Sequence, residues 1–187
     1  MTDDLESACN VLHGGGLILY PTDTVWGIGC DATNAGAVER VYALKGRADR
    51  KAMLVLLDSA DRLETCVEEV PPIAWILMKQ AVKPLTIIYP KARRVAPNLP
   101  AEDGSLGIRI TDEWFSGQLC RMFRKPIVST SANLSGRPSP ASFRKVEEAI
   151  RAGVDYVVRY RQDDTRPARP SSILQIGAGN QIRIIRE

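Results

Sequence analysis

Lys45-Gly46-Arg47, with Arg50 and Lys51 close behind, gathers cations around a glycine. A lysine ammonium is a compact point charge and an arginine guanidinium a two-pronged fork, the combination expected around phosphate or carboxylate groups. The glycine between them lets the backbone approach such a ligand. Cations at a helix C-terminus also answer the helix dipole, so a solvated helix end stays open beside an anion site.

A second candidate is the run Ser129-Thr130-Ser131-Ala132-Asn133-Leu134-Ser135-Gly136-Arg137-Pro138-Ser139-Pro140. It follows the short apolar run Ile127-Val128 and is so rich in Ser, Gly and Pro that a loop is expected. Loops between a strand and a helix present hydroxyls and backbone N–H groups, which suits a nucleotide. Neither a Walker A pattern nor G-x-G-x-x-G occurs, so a phosphate site here would be of another design. An ordinary turn remains the alternative.

Arg109 interrupts the apolar, strand-like Leu106-Gly107-Ile108-Arg109-Ile110. Its charge cannot be buried alone, so either an acidic side chain or an anionic ligand must meet it.

Much familiar catalytic chemistry is excluded. The chain has 1 histidine, His13, which removes Ser-His-Asp, Cys-His and multi-histidine metal schemes. His13 closes an apparent helix before Gly14-Gly15-Gly16, where an imidazolium complements the helix end. The 4 cysteines, Cys9, Cys30, Cys66 and Cys120, form no CxxC pair and read as reduced core thiols.

These groups must be positioned by a framework of alternating elements. Leu5, Ala8, Cys9 and Leu12 recur at helical spacing. The apolar run Leu17-Ile18-Leu19-Tyr20 reads as a buried strand delivering Pro21-Thr22-Asp23-Thr24 at its end. Asn34 caps a helix carrying Val38, Val41 and Tyr42. Further strands are expected at 53–57, 85–89, 106–110, 127–128, 154–158, 172–176 and 182–185. Helices are expected from Pro72, from a cap at Asp112 to about Phe123, and from Ser142 to about Arg151. The late strands follow one another through short turns, so the expected fold is α/β with a mixed parallel and antiparallel sheet.

At 187 residues, 44% hydrophobic and 25% charged, residues 1–187 read as one globular domain. No apolar run approaches the roughly 18 residues of a membrane helix, and the acidic start lacks a signal-peptide pattern, so a cytoplasmic location without membrane contact is expected. The net charge of +3 is unevenly spread. Residues 1–119 carry 12 basic and 16 acidic groups, residues 120–187 carry 13 and 6. That bias suits a polyanion, nucleotide or RNA, and equally a solvated basic surface.

The pieces together resemble the YrdC-like family. The resemblance rests on Pro21-Thr22-Asp23-Thr24-Val25-Trp26-Gly27-Ile28-Gly29, Lys45-Gly46-Arg47, Pro84-Leu85-Thr86, Gly107-Ile108-Arg109, Ser129-Thr130-Ser131-Ala132-Asn133-Leu134-Ser135-Gly136 and Pro170-Ser171-Ser172-Ile173, in the family's order over nearly the whole chain. Trp26 stands where a tyrosine is common.

The resemblance implies a twisted mixed sheet with flanking helices around a basic cavity. It also implies a nucleotidyltransferase that joins L-threonine, bicarbonate and ATP into threonylcarbamoyl-AMP and pyrophosphate. The product would pass to a transferase complex that makes N6-threonylcarbamoyladenosine in tRNA. Carried over by residue, Lys45, Arg47, Lys51, Ser131, Asn133, Ser139 and Arg186 would hold ATP, with Lys45 and Arg47 catalytic. Thr24, Arg109, Ser129 and Ser171 would surround threonine. Mg²⁺ would accompany ATP on phosphate oxygens and water, without protein ligands. Two other readings stay open: a module that binds tRNA, double-stranded RNA or the ribosome without turnover, and a relative acting on another carbamate.

Overall fold

The structure is a computed structural model that describes residues 2–46, 53–166 and 168–187. Among these described residues nine strands form one mixed sheet: β1 (Ile18–Tyr20), β2 (Gly27–Gly29), β3 (Leu54–Leu57), β4 (Leu85–Tyr89), β5 (Leu106–Ile110), β6 (Ile127–Ser131), β7 (Tyr156–Val157), β8 (Ser172–Ile176) and β9 (Ile182–Arg186). Their order across the sheet is β7-β1-β2-β6-β3-β5-β4-β8-β9. The β1–β7, β3–β5 and β4–β8 pairs are parallel and the rest antiparallel, as the short late connections lead one to expect.

Five helices flank it: α1 (Thr2–His13), α2 (Ala35–Leu44), α3 (Pro72–Gln80), α4 (Trp114–Phe123) and α5 (Glu148–Gly153). The apolar stripe of α1 buries Leu5, Ala8, Cys9 and Leu12 with Phe115, Leu119 and Phe123 of α4, beneath Ile18 and Tyr20 of β1. Asp4, in the first turn of α1, is buried because its carboxylate accepts from the main-chain N–H groups of Arg159 and Tyr160 and from the Tyr156 hydroxyl at 2.7 Å. On the other side of the sheet, Val38, Val41 and Tyr42 of α2 join Leu19, Ile28, Val55 and Ile108 in the larger apolar cluster. Asn34 caps α2 through a bond from Ala37 N to its side chain at 3.0 Å. All four cysteines are free and buried.

The structure departs from the sequence reading at four places. Gly27-Ile28-Gly29 is a strand, and it matters because it joins β1 to β6. Ser129-Thr130-Ser131 continues β6 instead of opening a loop, since Gly27 and Ile28 on one side and Leu54 on the other satisfy its backbone. Helix α4 is capped by Glu113, not Asp112: the Glu113 carboxylate accepts from Ser116 N at 2.8 Å and from its hydroxyl at 2.9 Å. The expected helix from Ser142 to Arg151 is split into a 3₁₀ turn at Phe143–Lys145 and the short α5, with Val146 and Glu147 extended between them.

Candidate active site

The turn after β1, the starts of β2 and β3 and the ends of β5 and β6 meet the segment before β8 around a cavity of about 170 Å³. Thr24, Arg109, Ser129, Ser131, Ser139, Ser171 and Arg186, seven of the expected site residues, line it together. They come from positions spread over most of the chain, and the sheet order explains the convergence. β3 lies between β5 and β6, with Leu56 opposite Arg109 and Leu54 opposite Ser129, so Arg109 and Ser129 flank the start of one strand. Parallel β4 and β8 bring Ser171 beside Thr86, where their hydroxyls lie 2.8 Å apart.

The turn after β1 is built by one hydroxyl that the sequence reading did not single out. Thr22 Oγ1 donates to the Val25 carbonyl at 2.7 Å and accepts from Thr24 N at 3.1 Å. Its one proton being spent on Val25, the 3.0 Å contact between the Thr22 and Thr24 hydroxyls has Thr24 as donor. The Thr24 oxygen therefore offers lone pairs, not a proton, to the cavity.

Arg109 is met by an acidic side chain. Its Nη2 lies 3.1 Å from Asp23 Oδ1, with side-chain exposures of 4% and 8%. Asp23 was also missed in the sequence reading, and the signal that points to it is the need of a buried arginine for a counter-charge. Burial pushes the Asp23 carboxyl up from its ordinary value, the Arg109 guanidinium opposing the shift and Asp112 and Glu113 adding to it.

Lys45 and Asn133 sit behind the cavity wall and not on its lining. Lys45 Nζ donates to the main-chain carbonyls of Ser131 and Asn133, and the Lys45 carbonyl accepts from Ser135 N at 2.8 Å. Asn133 spends its amide N–H groups on the carbonyls of Leu134 and Arg137, at 2.9 and 2.7 Å. These contacts fix the 131–137 loop. Arg47 and Lys51 lie outside the described residues, as does Arg50.

Arg186 reaches in from the last strand. Its Nε donates to the Ser171 carbonyl at 2.9 Å. Partial burial, and then the charge of Arg109, lower its pKa from the usual guanidinium value. A wider cavity of about 620 Å³ adjoins the first and shares Thr24, Pro170 and Arg186 with it; Asp23, Lys83, Arg161, Arg166 and Arg169 also line it. Trp26 is buried against Phe143, ring centroids 4.9 Å apart, next to the same turn. The apolar hollow of about 400 Å³ between α3 and β4 contains none of the expected site residues.

Comparisons with known proteins bear on the family and the fold. The sequence model of the Sua5/YciO/YrdC family, described as "Telomere recombination", matches residues 10–187. The chain is 32% identical over 180 residues to the threonylcarbamoyl-AMP synthase of Pseudomonas aeruginosa, covering 95% of both chains. It is 34% identical over 173 residues to that of Thiobacillus denitrificans, covering 92% of this chain and 90% of the relative. Among solved structures, P. abyssi Sua5 complexed with L-threonine is similar at a TM-score of 0.81 and 27% identity, over 91% of this chain and 50% of that longer one. E. coli YciO shares the fold at a TM-score of 0.86 and 21% identity, over 100% of this chain and 90% of that one.

Proposed function

We propose, from the premise that this chain belongs to the Sua5/YciO/YrdC family, that it is a threonylcarbamoyl-AMP synthase. It takes L-threonine, bicarbonate and ATP and releases pyrophosphate. The observation that carries this reading is the convergence of Thr24, Arg109, Ser129, Ser131, Ser139, Ser171 and Arg186 on one cavity.

In this reading threonine's neutral amine attacks bicarbonate, a C–O bond breaks and water leaves, and an oxygen of the resulting carbamate attacks the α-phosphorus of ATP, expelling pyrophosphate. Arg109 receives the threonine carboxylate, and Ser129 and Ser171 set the side chain and main chain of the amino acid. Ser131, Ser139 and Arg186 face the nucleotide. Lys45 holds the Ser131 and Asn133 carbonyls and so the chain that carries Ser131, and Arg47 and Lys51, which lie outside the described residues, are assigned to ATP by the family resemblance alone. Such a displacement depends on alignment and on neutralising charge, which a site of guanidinium, ammonium and hydroxyl groups supplies without a histidine.

No group of three or more His, Cys, Asp or Glu among the described residues is arranged to hold a metal. In this reading Mg²⁺ would accompany ATP, held mostly by phosphate oxygens and water. No helix among the described residues is long and apolar enough to cross a membrane. In this reading the enzyme works in the cytoplasm and hands its adenylate to a tRNA-modifying transferase complex.

The test is pyrophosphate release by purified protein. Release requiring threonine, bicarbonate and ATP together supports the reading. RNA affinity without such turnover would replace it with the binding module, and turnover with another amine or carbamate in place of threonine would replace its substrate.

A further inference from the structure

Successive side chains of a strand point to opposite faces of its sheet. Leu85, Ile87 and Tyr89 of β4 share one face with Ile108 and Ile110 of β5, and all five line the apolar hollow of about 400 Å³ beside α3. Thr86 and Arg109, opposite one another in the register, point to the reverse face, where Thr86 meets Ser171 and Arg109 lines the smaller cavity. The hollow therefore lies behind the candidate active site, with one thickness of sheet between them.

Lys83 and Asp112 carry the same alternation past the ends of the strands. The antiparallel register pairs Ile87 with Ile108 and Thr86 with Arg109. Continued outward, it brings Lys83 and Asp112 to the same end of the hollow, which both of them line. Both are exposed, and neither forms an ion pair with the other or with any other described residue. One end of the hollow thus holds an ammonium and a carboxylate left apart, and the floor beyond them is apolar.

The rim is apolar as well. Val82 lines the hollow and is 95% exposed, the highest exposure of any large hydrophobic side chain among the described residues. An occupant would cover it, and removing such surface from water is favourable. Met78 lines the hollow from α3, and its flexible thioether adapts to the shape of what it meets. The volume falls within the range of small-molecule sites, roughly 300 to 1,000 Å³.

We propose that this hollow is a second small-molecule site, for an α-amino acid with a bulky apolar side chain. The carboxylate lies on Lys83, the ammonium on Asp112, and the side chain on Leu85, Ile87 and Ile108. Two separated charges of opposite sign beside an apolar floor match a zwitterionic head on an apolar body, and a simple hydrocarbon or a plain anion would leave one of them unanswered. An occupant that packs this floor also steadies the strands that carry Thr86 and Arg109 on the reverse face, so substrate affinity depends on the second amino acid. That coupling rests on the proposed function; binding in the hollow does not.

The test is calorimetry of the full chain with L-phenylalanine, with and without excess L-threonine. Phenylalanine is expected to bind in both cases. 3-Phenylpropanoate, which lacks the ammonium, and 2-phenylethylamine, which lacks the carboxylate, should each bind about three- to ten-fold more weakly. Asp112→Asn should weaken phenylalanine by about that factor and leave 3-phenylpropanoate within about two-fold. Ala81 lines the hollow from the end of α3 and is exposed there, so Ala81→Phe should fill the hollow and abolish binding with the circular dichroism unchanged. No heat from phenylalanine at about 10 mM would overturn the proposal. So would binding that Ala81→Phe leaves intact, or binding that rising threonine removes without a plateau, since both place phenylalanine in the substrate cavity. Self-association of the wild-type chain that Val82→Asp abolishes would give the hollow to a second copy and overturn it too. Phenylalanine binding of the expected kind in a protein that does not bind threonine would support the hollow's assignment and overturn the proposed function instead.

Discussion

Lys45 donates its ammonium to the main-chain carbonyl of Asn133 at 2.7 Å, joining the end of α2 to the loop after β6 across 88 positions of sequence. The Ser131 carbonyl accepts from the same ammonium. The cation is thereby buried, at 3% exposure, among acceptors of the very loop whose serines face the cavity.

Replacing Lys45 by Met keeps much of the stem and deletes the charge, leaving buried carbonyls without their donor. A loss of about 2 to 3 kcal/mol in unfolding free energy is expected, read by urea denaturation. Because the 131–137 loop loses its anchor, pyrophosphate release should fall by about 100-fold or more even where the variant is fully folded. Retained turnover at wild-type rate would show that the loop holds its place without Lys45.

Arg186 and Ser171 are related differently, since Arg186 lies on an edge strand and bonds a carbonyl at the cavity rim. Arg186→Ala should leave the thermal midpoint within a few degrees of wild type, an exposed substitution costing about 0.5 kcal/mol or less. The KM for ATP should rise by about ten-fold, the loss of one charge-assisted bond, while the KM for threonine moves little. Steady-state kinetics with each substrate varied in turn separate the two. An effect confined to threonine would move Arg186 to the other half of the site.

The framework was largely legible because its apolar runs are continuous or periodic. Leu85–Tyr89, Leu106–Ile110 and Ser172–Ile176 lie where the sequence reading places them. The strand Gly27–Gly29 was not legible, since two glycines in three residues carry no strand propensity and only the neighbours β1 and β6 hold them extended. Ser129–Ser131 reads as a loop for the same reason: its composition is polar, and its pairing is a tertiary fact. The site residues on motif positions were legible, whereas Thr22 and Asp23 were not. Their roles follow from a hydrogen-bond direction and a counter-charge on a strand distant in sequence, neither of which local spacing reports.

Gly29 tests the account of that cryptic strand. A Cβ there would lie 2.7 Å from Tyr20 Cε1 and 3.1 Å from the Val128 carbonyl oxygen. Tyr20 is fully buried, so the ring has little room to withdraw. Gly29→Ala should cost about 1 to 3 kcal/mol, the usual scale of overpacking. A shift of that size in the urea midpoint is expected. An unchanged midpoint would mean that β2 is held more loosely between its neighbours than its register implies.

Asp164 gives a prediction with a sign in pH. Its carboxylate accepts from Arg166 Nε at 2.9 Å, from Arg166 N at 3.0 Å and from Arg161 Nε at 2.9 Å. Arg161 in turn donates to the Thr22 carbonyl at 3.2 Å, so the clamp leads back to the turn that carries Asp23 and Thr24. Bonds from Arg166, then from Arg161, hold the Asp164 carboxyl well below the usual carboxylate range. A depressed folded pKa contributes stability in full above the unfolded value, about 3.9, and loses it as the pH falls toward the folded one. Asp164→Asn should therefore be less stable than wild type at pH 7. The gap should hold down to about pH 4 and narrow below it, as Asp164 of the unfolded wild-type chain takes up a proton while the folded carboxylate is still charged. Urea midpoints of both proteins between pH 7 and pH 3 read the difference directly. A gap that stays constant across that range would mean that the clamp acts through shape and not through its charge.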